Sequence, residues 1–238
     1  MTDSRGADAP QPPPGGADER LILLLVGAVG AGKGTQAAIL SREIGLVHLA
    51  SGNLFRAALA AGTPLGESAR EYMERGELVP DELTIAMFME ELARPAADAG
   101  AILDGFPRTV GQAKALDDTL ASAGERIRRV LYIEVPTDVL VRRVAGRWIC
   151  PQCGTPYHED TNPPRVADRC DRDGTPLKQR DDDRPEVVRA RLDKQVPPMT
   201  AVVEHYERAG IVDRLDGTRP IEAVTEAILA SIGDRATS

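Results

Sequence analysis

Residues 21–36 restrict the architecture more than any other stretch of the 238-residue sequence. The apolar run Leu21-Ile22-Leu23-Leu24-Leu25-Val26 passes straight into Gly27-Ala28-Val29-Gly30-Ala31-Gly32-Lys33-Gly34-Thr35-Gln36. An apolar run without alternation predicts a strand covered on both faces, as in a parallel sheet. The glycines let the backbone turn tightly enough for successive N–H groups to point inward at phosphate oxygens. Lys33 brings a point charge to the outer phosphates, and the helix that follows presents its positive N-terminal end. The pattern is that of a phosphate loop, G-x-x-x-x-G-K, with Gly34 inserted before Thr35. It predicts that Gly30, Ala31, Gly32, Lys33, Gly34 and Thr35 hold a nucleoside triphosphate. A plain glycine-rich turn is the alternative, and the placement of Lys33 behind a buried strand argues against it.

Any such site must build its own positive potential, because the chain carries a net charge of −8. A field of that sign repels phosphate backbones and argues against broad nucleic-acid or anionic-membrane binding. No apolar run approaches the roughly 20 residues that span a bilayer. No basic segment followed by an apolar core opens the sequence, so no secretory signal is expected. The 3 cysteines, an odd number, suit a reducing compartment and a metal better than a disulfide framework. The expectation is a cytoplasmic protein that binds neither nucleic acid nor membrane.

Residues 1–20, with Pro12-Pro13-Pro14-Gly15-Gly16 at their centre, bury too little apolar surface to offset their ordering entropy and read as a disordered tail. Helical spacing from Lys33 to Glu43 and a strand at Leu46 to Leu49 come next. Ser51-Gly52-Asn53-Leu54-Phe55-Arg56 then opens a helix, Gly62 to Gly66 breaks it, and a second helix runs from about Glu67 to Arg75. Arg56 is either a solvated surface charge or, just past a strand end, a phosphate contact. A short apolar strand ends in Asp104, ahead of Gly105-Phe106-Pro107-Arg108. Ligands of open α/β sheets sit outside the carboxyl ends of the strands. Asp104 is placed there to hold Mg²⁺, directly or through its water, or to cap the next helix, and Arg108 to meet a phosphate. A strand at Arg129 to Val135 leads into a helix carrying Arg143 and Arg147 on one face, a shared anion site or a solvated basic face.

Composition then shifts from Trp148 to Arg184. Cys150-x2-Cys153 and Cys170-x2-Asp173 have zinc-ribbon spacing, and three thiolates with one carboxylate complete a closed, structural site. His158 is an alternative ligand, and iron an alternative to zinc. A long helix from Pro185 carries Arg191, and a strand at Ile211 to Leu215 and a helix to about Ile232 finish the chain.

Taken together, these residues resemble the adenylate kinases of the long, zinc-bearing bacterial type, from about Leu21 to Ile232. The marks are Gly27 to Gln36, Ser51 to Arg56, Gly76 to Asp81, Asp104 to Thr109 with Gln112, Gly146-Arg147, Tyr157-His158 with Asn162-Pro163-Pro164, Arg180-Asp181-Asp182 and Arg191. The resemblance implies an α/β phosphate-loop NTPase fold with a five-stranded parallel sheet flanked by helices. It implies a core of residues 21–49, 80–145 and 184–233, a helical nucleoside monophosphate insert at 50–79, and a zinc-bearing lid at 146–183. The implied reaction is reversible, Mg²⁺-dependent phosphoryl transfer, ATP + AMP = 2 ADP, by a monomer. On the ATP side it places Gly30 to Thr35, Arg147, Pro156, Tyr157 and Arg219. On the AMP side it places Ser51, Arg56, Glu77, Leu78, Val79, Gly105, Phe106, Pro107, Arg108, Gln112, Arg180 and Arg191. Lys33, Asp104, Arg108, Arg143, Arg147, Arg180 and Arg191 would carry catalysis, and Cys150, Cys153, Cys170 and Asp173 would hold structural Zn²⁺.

Three positions depart from the family pattern. Val29 stands where proline is common, Asn53 where aspartate helps organise the water shell of Mg²⁺, and Trp148 where a basic lid residue is usual. The loss of one negative charge at position 53 predicts weaker Mg²⁺ affinity. Competing readings are a UMP or CMP kinase, a plain ATPase, and a zinc-ribbon binding module with a nucleotide switch.

Overall fold

The computed structural model describes residues 20–74, 79–159, 162–179 and 183–233. The expected tail, and the sites at Glu77, Leu78 and Arg180, fall wholly or almost wholly outside these residues. Five strands make one parallel sheet: β1 (Leu21–Val26), β2 (Val47–Ala50), β3 (Gly100–Asp104), β4 (Arg129–Glu134) and β7 (Val212–Asp216), in the order β2-β3-β1-β4-β7. The apolar run of β1 is central, as its lack of alternation requires. Its even-numbered residues Ile22, Leu24 and Val26 enter one core with Leu103 and Val130, and Leu23 and Leu25 enter the other with Ile102, Leu131 and Ile133. Helices close both faces. On the first face lie α4 (Asp81–Leu92), α5 (Val110–Ser122) and the C-terminal half of α7 (Pro185–Glu207), through Phe88, Leu116 and Val202. On the second lie α1 (Lys33–Ile44), α6 (Thr137–Ala145), the N-terminal part of α7 and α8 (Ile221–Gly233), through Leu40, Leu140, Leu192 and Ile228.

Some elements differ from the pattern reading. Gly62 and Thr63 alone separate α2 (Ser51–Ala61) from α3 (Pro64–Glu74), because Pro64 starts the second helix rather than interrupting it. The two helices approach so closely that a Cβ on Gly66 would stand 2.4 Å from the Ala58 carbonyl oxygen. Helix α4 is not announced by periodicity: its buried residues Thr84, Ile85, Met87, Phe88 and Leu92 share one face, but the apolar Leu83, Ala86 and Met89 lie on its other sides. Helix α7 runs through Pro197 and Pro198, held by Val188 and Leu192 before them and Val202, Val203 and Tyr206 after. Between α6 and α7 a small antiparallel hairpin, β5 (Arg147–Ile149) and β6 (Pro156–His158), sits apart from the main sheet. Among the described residues its apolar centre is Cys150, Tyr157, Cys170 and Leu177, with Trp148 against them. Among the described residues no helix is long and apolar enough to cross a membrane.

Candidate active site

The parallel sheet points the carboxyl ends of its strands at one edge, where a cleft of about 1050 Å³ opens. Gly30 and Gly32 turn the chain with φ of 84° and 97°, left-handed values that a side chain disfavours. Space forbids a side chain at Gly30 as well, since a Cβ there would meet Val144 at 2.7 Å. Gly32 then caps α1, so the N-terminus of that helix faces the cleft. The Lys33 ammonium rests on the loop itself, donating to the carbonyls of Gly27 at 2.7 Å and Ala28 at 3.2 Å. Burial holds it below the ordinary lysine range, with Arg108 and Arg147 pushing the same way and Asp104 opposing them.

Gly30, Gly32, Lys33, Gly34 and Thr35 line one part of the cleft. Ser51, Arg56, Gly105, Phe106, Pro107, Arg108 and Arg191 line it too, as do Asp104, Arg143, Arg147, Pro156 and Tyr157. The sequence-predicted residues on both sides therefore share one cavity. Seven cationic side chains line the cleft, Lys33, Arg108, Arg147 and Arg191 among them, and Asp104 acts electrostatically on both Lys33 and Arg108. Loss of hydration in the cleft, together with Arg191, holds the Arg108 guanidinium below its usual range against the pull of Asp104. That surplus of positive charge supplies the local potential that an acidic chain must build to hold polyanions. Ala31 is buried in the second core, and Val79 and Arg219 do not line the cavity. Arg219 and Arg143 both stand near Asp216, whose carboxyl is held low first by the Thr218 hydroxyl and then with their help.

Gln112 works from behind. It is buried on α5, where its Oε1 accepts from the Arg108 N–H at 2.6 Å and its Nε2 donates to Asp81 at 2.7 Å. Thr109 caps the same helix by accepting from the Gln112 N–H at 3.2 Å, so the Arg108 backbone is fixed from both sides. Two partners escape sequence reasoning. Asp183, fully buried, takes the Arg147 guanidinium in a two-point contact of 3.0 Å and 2.5 Å. His48 Nε2 lies 3.2 Å from Asp104 Oδ2 across adjacent strands. The local signal for the first was the acidic run 181–183; for the second it was a histidine near the carboxyl end of a strand. Neither signal names a partner far away in sequence.

Asn53 Oδ1 accepts from Arg56 at 2.6 Å on the exposed rim of the cleft. Asn53→Asp would add a negative charge there. Half-maximal activity should then need roughly two- to fivefold less Mg²⁺, the scale of one exposed charge. A Mg²⁺ titration of activity that gives the wild-type midpoint would show that position 53 does not bear on the metal.

Below the hairpin, Cys150, Cys153, Cys170 and Asp173 bring their ligand atoms within 4.8 Å of one another. Cys153 Sγ lies 3.5 Å from Cys170 Sγ, and Cys150 Sγ lies 3.4 Å from Asp173 Oδ2. A tetrahedron around zinc, with metal–sulfur bonds near 2.3 Å, has edges of about 3.8 Å. The Asp173 carboxyl is held well below the usual range by the N–H and hydroxyl of Thr175, so it is available as an anion. Three sulfurs and one carboxylate at these spacings fit a tetrahedral metal ion.

A parallel sheet with a glycine-rich loop and a cationic cleft at its carboxyl edge defines a phosphate-loop protein built to bind nucleotide phosphates. Comparison with known families narrows this further. Residues 25–211 match the family model described as adenylate kinase. The chain is 47% identical over 206 residues to the adenylate kinase of Carboxydothermus hydrogenoformans, covering 87% of this chain and 96% of that one. It is 46% identical over 211 residues to that of Exiguobacterium sibiricum, covering 89% and 98%. With the adenylate kinase of Moorella thermoacetica the identity is also 46% over 211 residues. The chain belongs to the adenylate kinase family.

Proposed function

We infer that the chain catalyses reversible transfer of the terminal phosphoryl group of ATP to AMP, forming two ADP, with Mg²⁺ carried on the triphosphate. One observation carries this reading: a phosphate loop and a separate set of arginines, Arg56, Arg108 and Arg191, line the same cleft. A plain ATPase needs no second set.

In this reading Gly30 to Thr35 hold the ATP phosphates, and Arg147, Pro156, Tyr157 and Arg219 hold ATP from the lid and base side. Ser51, Arg56, Glu77 to Val79, Gly105 to Arg108, Gln112, Arg180 and Arg191 hold AMP. Gln112 is buried, so its part is to fix the Arg108 backbone. An AMP phosphate oxygen attacks the γ-phosphorus, the bond to the β–γ bridging oxygen breaks, and its electron pair leaves on ADP. The transition state is loose, with charge spread over the transferred oxygens, so alignment and charge neutralisation are the protein's main contributions. Lys33, Arg108, Arg143, Arg147, Arg180 and Arg191 supply the positive charge, and Asp104 would hold Mg²⁺, directly or through its water.

Residues 50–79 and 146–183 act as mobile inserts on a core of 21–49, 80–145 and 184–233. Their closure excludes water that would otherwise accept the phosphoryl group. Zinc held by Cys150, Cys153, Cys170 and Asp173 stabilises the lid and takes no part in the chemistry. A cytoplasmic monomer is part of the reading; three cysteines gathered at a candidate metal site suit a reducing compartment.

ADP formation from ATP, AMP and Mg²⁺, with GMP, CMP and UMP as comparison acceptors, tests it. AMP is expected to be strongly preferred. CMP outperforming AMP would change the acceptor, phosphate release without AMP would make the chain an ATPase, and nucleotide binding without turnover would make it a switch module.

A further inference from the structure

Three thiolates, one carboxylate and a divalent ion sum to a charge of −2 in a chain that is already acidic. Hydrogen-bond donors to the sulfurs spread that charge, and outer-shell partners of this kind typically change metal affinity by roughly ten- to a hundredfold. The Cys153 N–H donates to Cys150 Sγ at 3.4 Å, and the Arg172 N–H to Cys170 Sγ at 3.4 Å. These are backbone groups that any residue would provide. Two side-chain hydroxyls also reach sulfur: Thr155 lies 3.1 Å from the exposed Cys153, and Tyr157 donates to the buried Cys170 at 3.4 Å.

Tyr157 differs from Thr155 in being anchored. Its oxygen accepts the Asp171 N–H at 2.7 Å, so the phenol is gripped by the backbone of the second knuckle as well as by its sulfur. Its ring belongs to the small apolar centre of the hairpin, with Cys150, Cys170 and Leu177. The residue also lines the nucleotide cleft, and its strand β6 pairs with β5, where Trp148 faces Tyr157 and Arg147 faces His158. Arg147 is the cleft cation at the next register position. A short path thus runs from a metal ligand, through one phenol, to a strand that holds a nucleotide-facing arginine.

We propose that Tyr157 is a positioning residue that joins the metal knuckle to the nucleotide cleft: its hydroxyl steadies the Cys170 ligand, and the same anchor fixes the strand against which Arg147 is aligned. This goes beyond contact with ATP, and it rests on the reading that the Cys150 cluster holds a metal. Removing the hydroxyl should loosen the metal first and misplace the ATP side of the cleft second. The AMP side, built on α2 and the β3 end, should feel nothing.

The test compares wild-type and Tyr157→Phe proteins, each loaded with zinc and assayed for metal content before any kinetics. The phenylalanine variant should release zinc to a colorimetric chelator about tenfold faster, the lower end of what outer-shell partners contribute. In the cobalt-loaded proteins the thiolate-to-metal charge-transfer band should shift on loss of the O–H···S bond. KM for ATP should rise while KM for AMP holds. Release within twofold of wild type with an unshifted cobalt band overturns the proposal. Wild-type protein that binds no stoichiometric metal overturns instead the metal reading beneath it. Wild-type protein loaded with NMR-active cadmium tests the bond without mutation: scalar coupling from the Tyr157 hydroxyl proton to the metal supports the proposal, and its absence counts against it.

Discussion

Lys33→Met is expected to lower kcat by on the order of 10³, the loss typical of one donor aimed at developing charge. That factor corresponds to about 4 kcal/mol of transition-state stabilisation. Methionine keeps most of the length and apolar stem of lysine and removes the ammonium. That ammonium donates to the Gly27 and Ala28 carbonyls and lies outside both apolar cores, so its removal leaves the cores untouched. The melting temperature should therefore stay near wild type while turnover collapses. KM for AMP should change little, because in the proposed reading the AMP side is built on other residues.

The pH dependence adds a second readout. Burial, aided by Arg108 and Arg147, favours loss of the Lys33 proton, so the free protein should lose its charged form below the ordinary lysine range. Bound triphosphate adds negative charge and pulls the proton back. The alkaline limb of kcat/KM for ATP, which reports the free protein, should fall at lower pH than that of kcat. A variant retaining more than a tenth of wild-type turnover, or coincident alkaline limbs, would show that the ammonium does not meet the transferred group.

Stripping the metal should cost the hairpin region its fold. Its apolar centre holds four buried residues, Cys150, Tyr157, Cys170 and Leu177, and two of them are metal ligands in this reading. So small a core cannot offset the entropy of ordering the segment, and in such units metal-binding free energy is folding free energy. A strong chelator should abolish amide protection across residues 147–178 and leave the β1–β3–β4 sheet protected. The melting temperature should fall by roughly 10 °C if about 3–4 kcal/mol is lost, since each kcal/mol moves it by roughly 2–4 °C in a chain of this size. Activity should fall too, because Arg147 begins β5. Unchanged melting and unchanged protection after verified metal removal would show that the hairpin stands without an ion.

Much of the fold and of the candidate site could be read before any coordinates. Residues 21–36 dictate strand, turn and helix because the determinants are local: an unbroken apolar run, glycines where φ turns positive, and a lysine at the helix start. The two ligand knuckles are equally local, since each is closed by a turn within four residues, as the Gly154 and Gly174 N–H groups returning to the Cys150 and Cys170 carbonyls show. Helix α4 is hidden for a different reason: it buries one face, but Leu83, Ala86 and Met89 put apolar side chains on the others and erase the periodicity by which a helix is recognised.

What could not be read from the chain alone were the partners. Asp183 neutralises Arg147 from 36 residues away, His48 meets Asp104 from 56 residues away, and the Tyr157 phenol reaches the second knuckle across a hairpin. In the sequence each is a common residue with an ordinary surface role open to it. Backbone conformation is set by neighbours a few residues apart, whereas a side chain's partner is set by the packing of the whole sheet. The chain itself therefore states that it cradles phosphates and gathers sulfur ligands, and folding determines which charges and hydroxyls stand behind them.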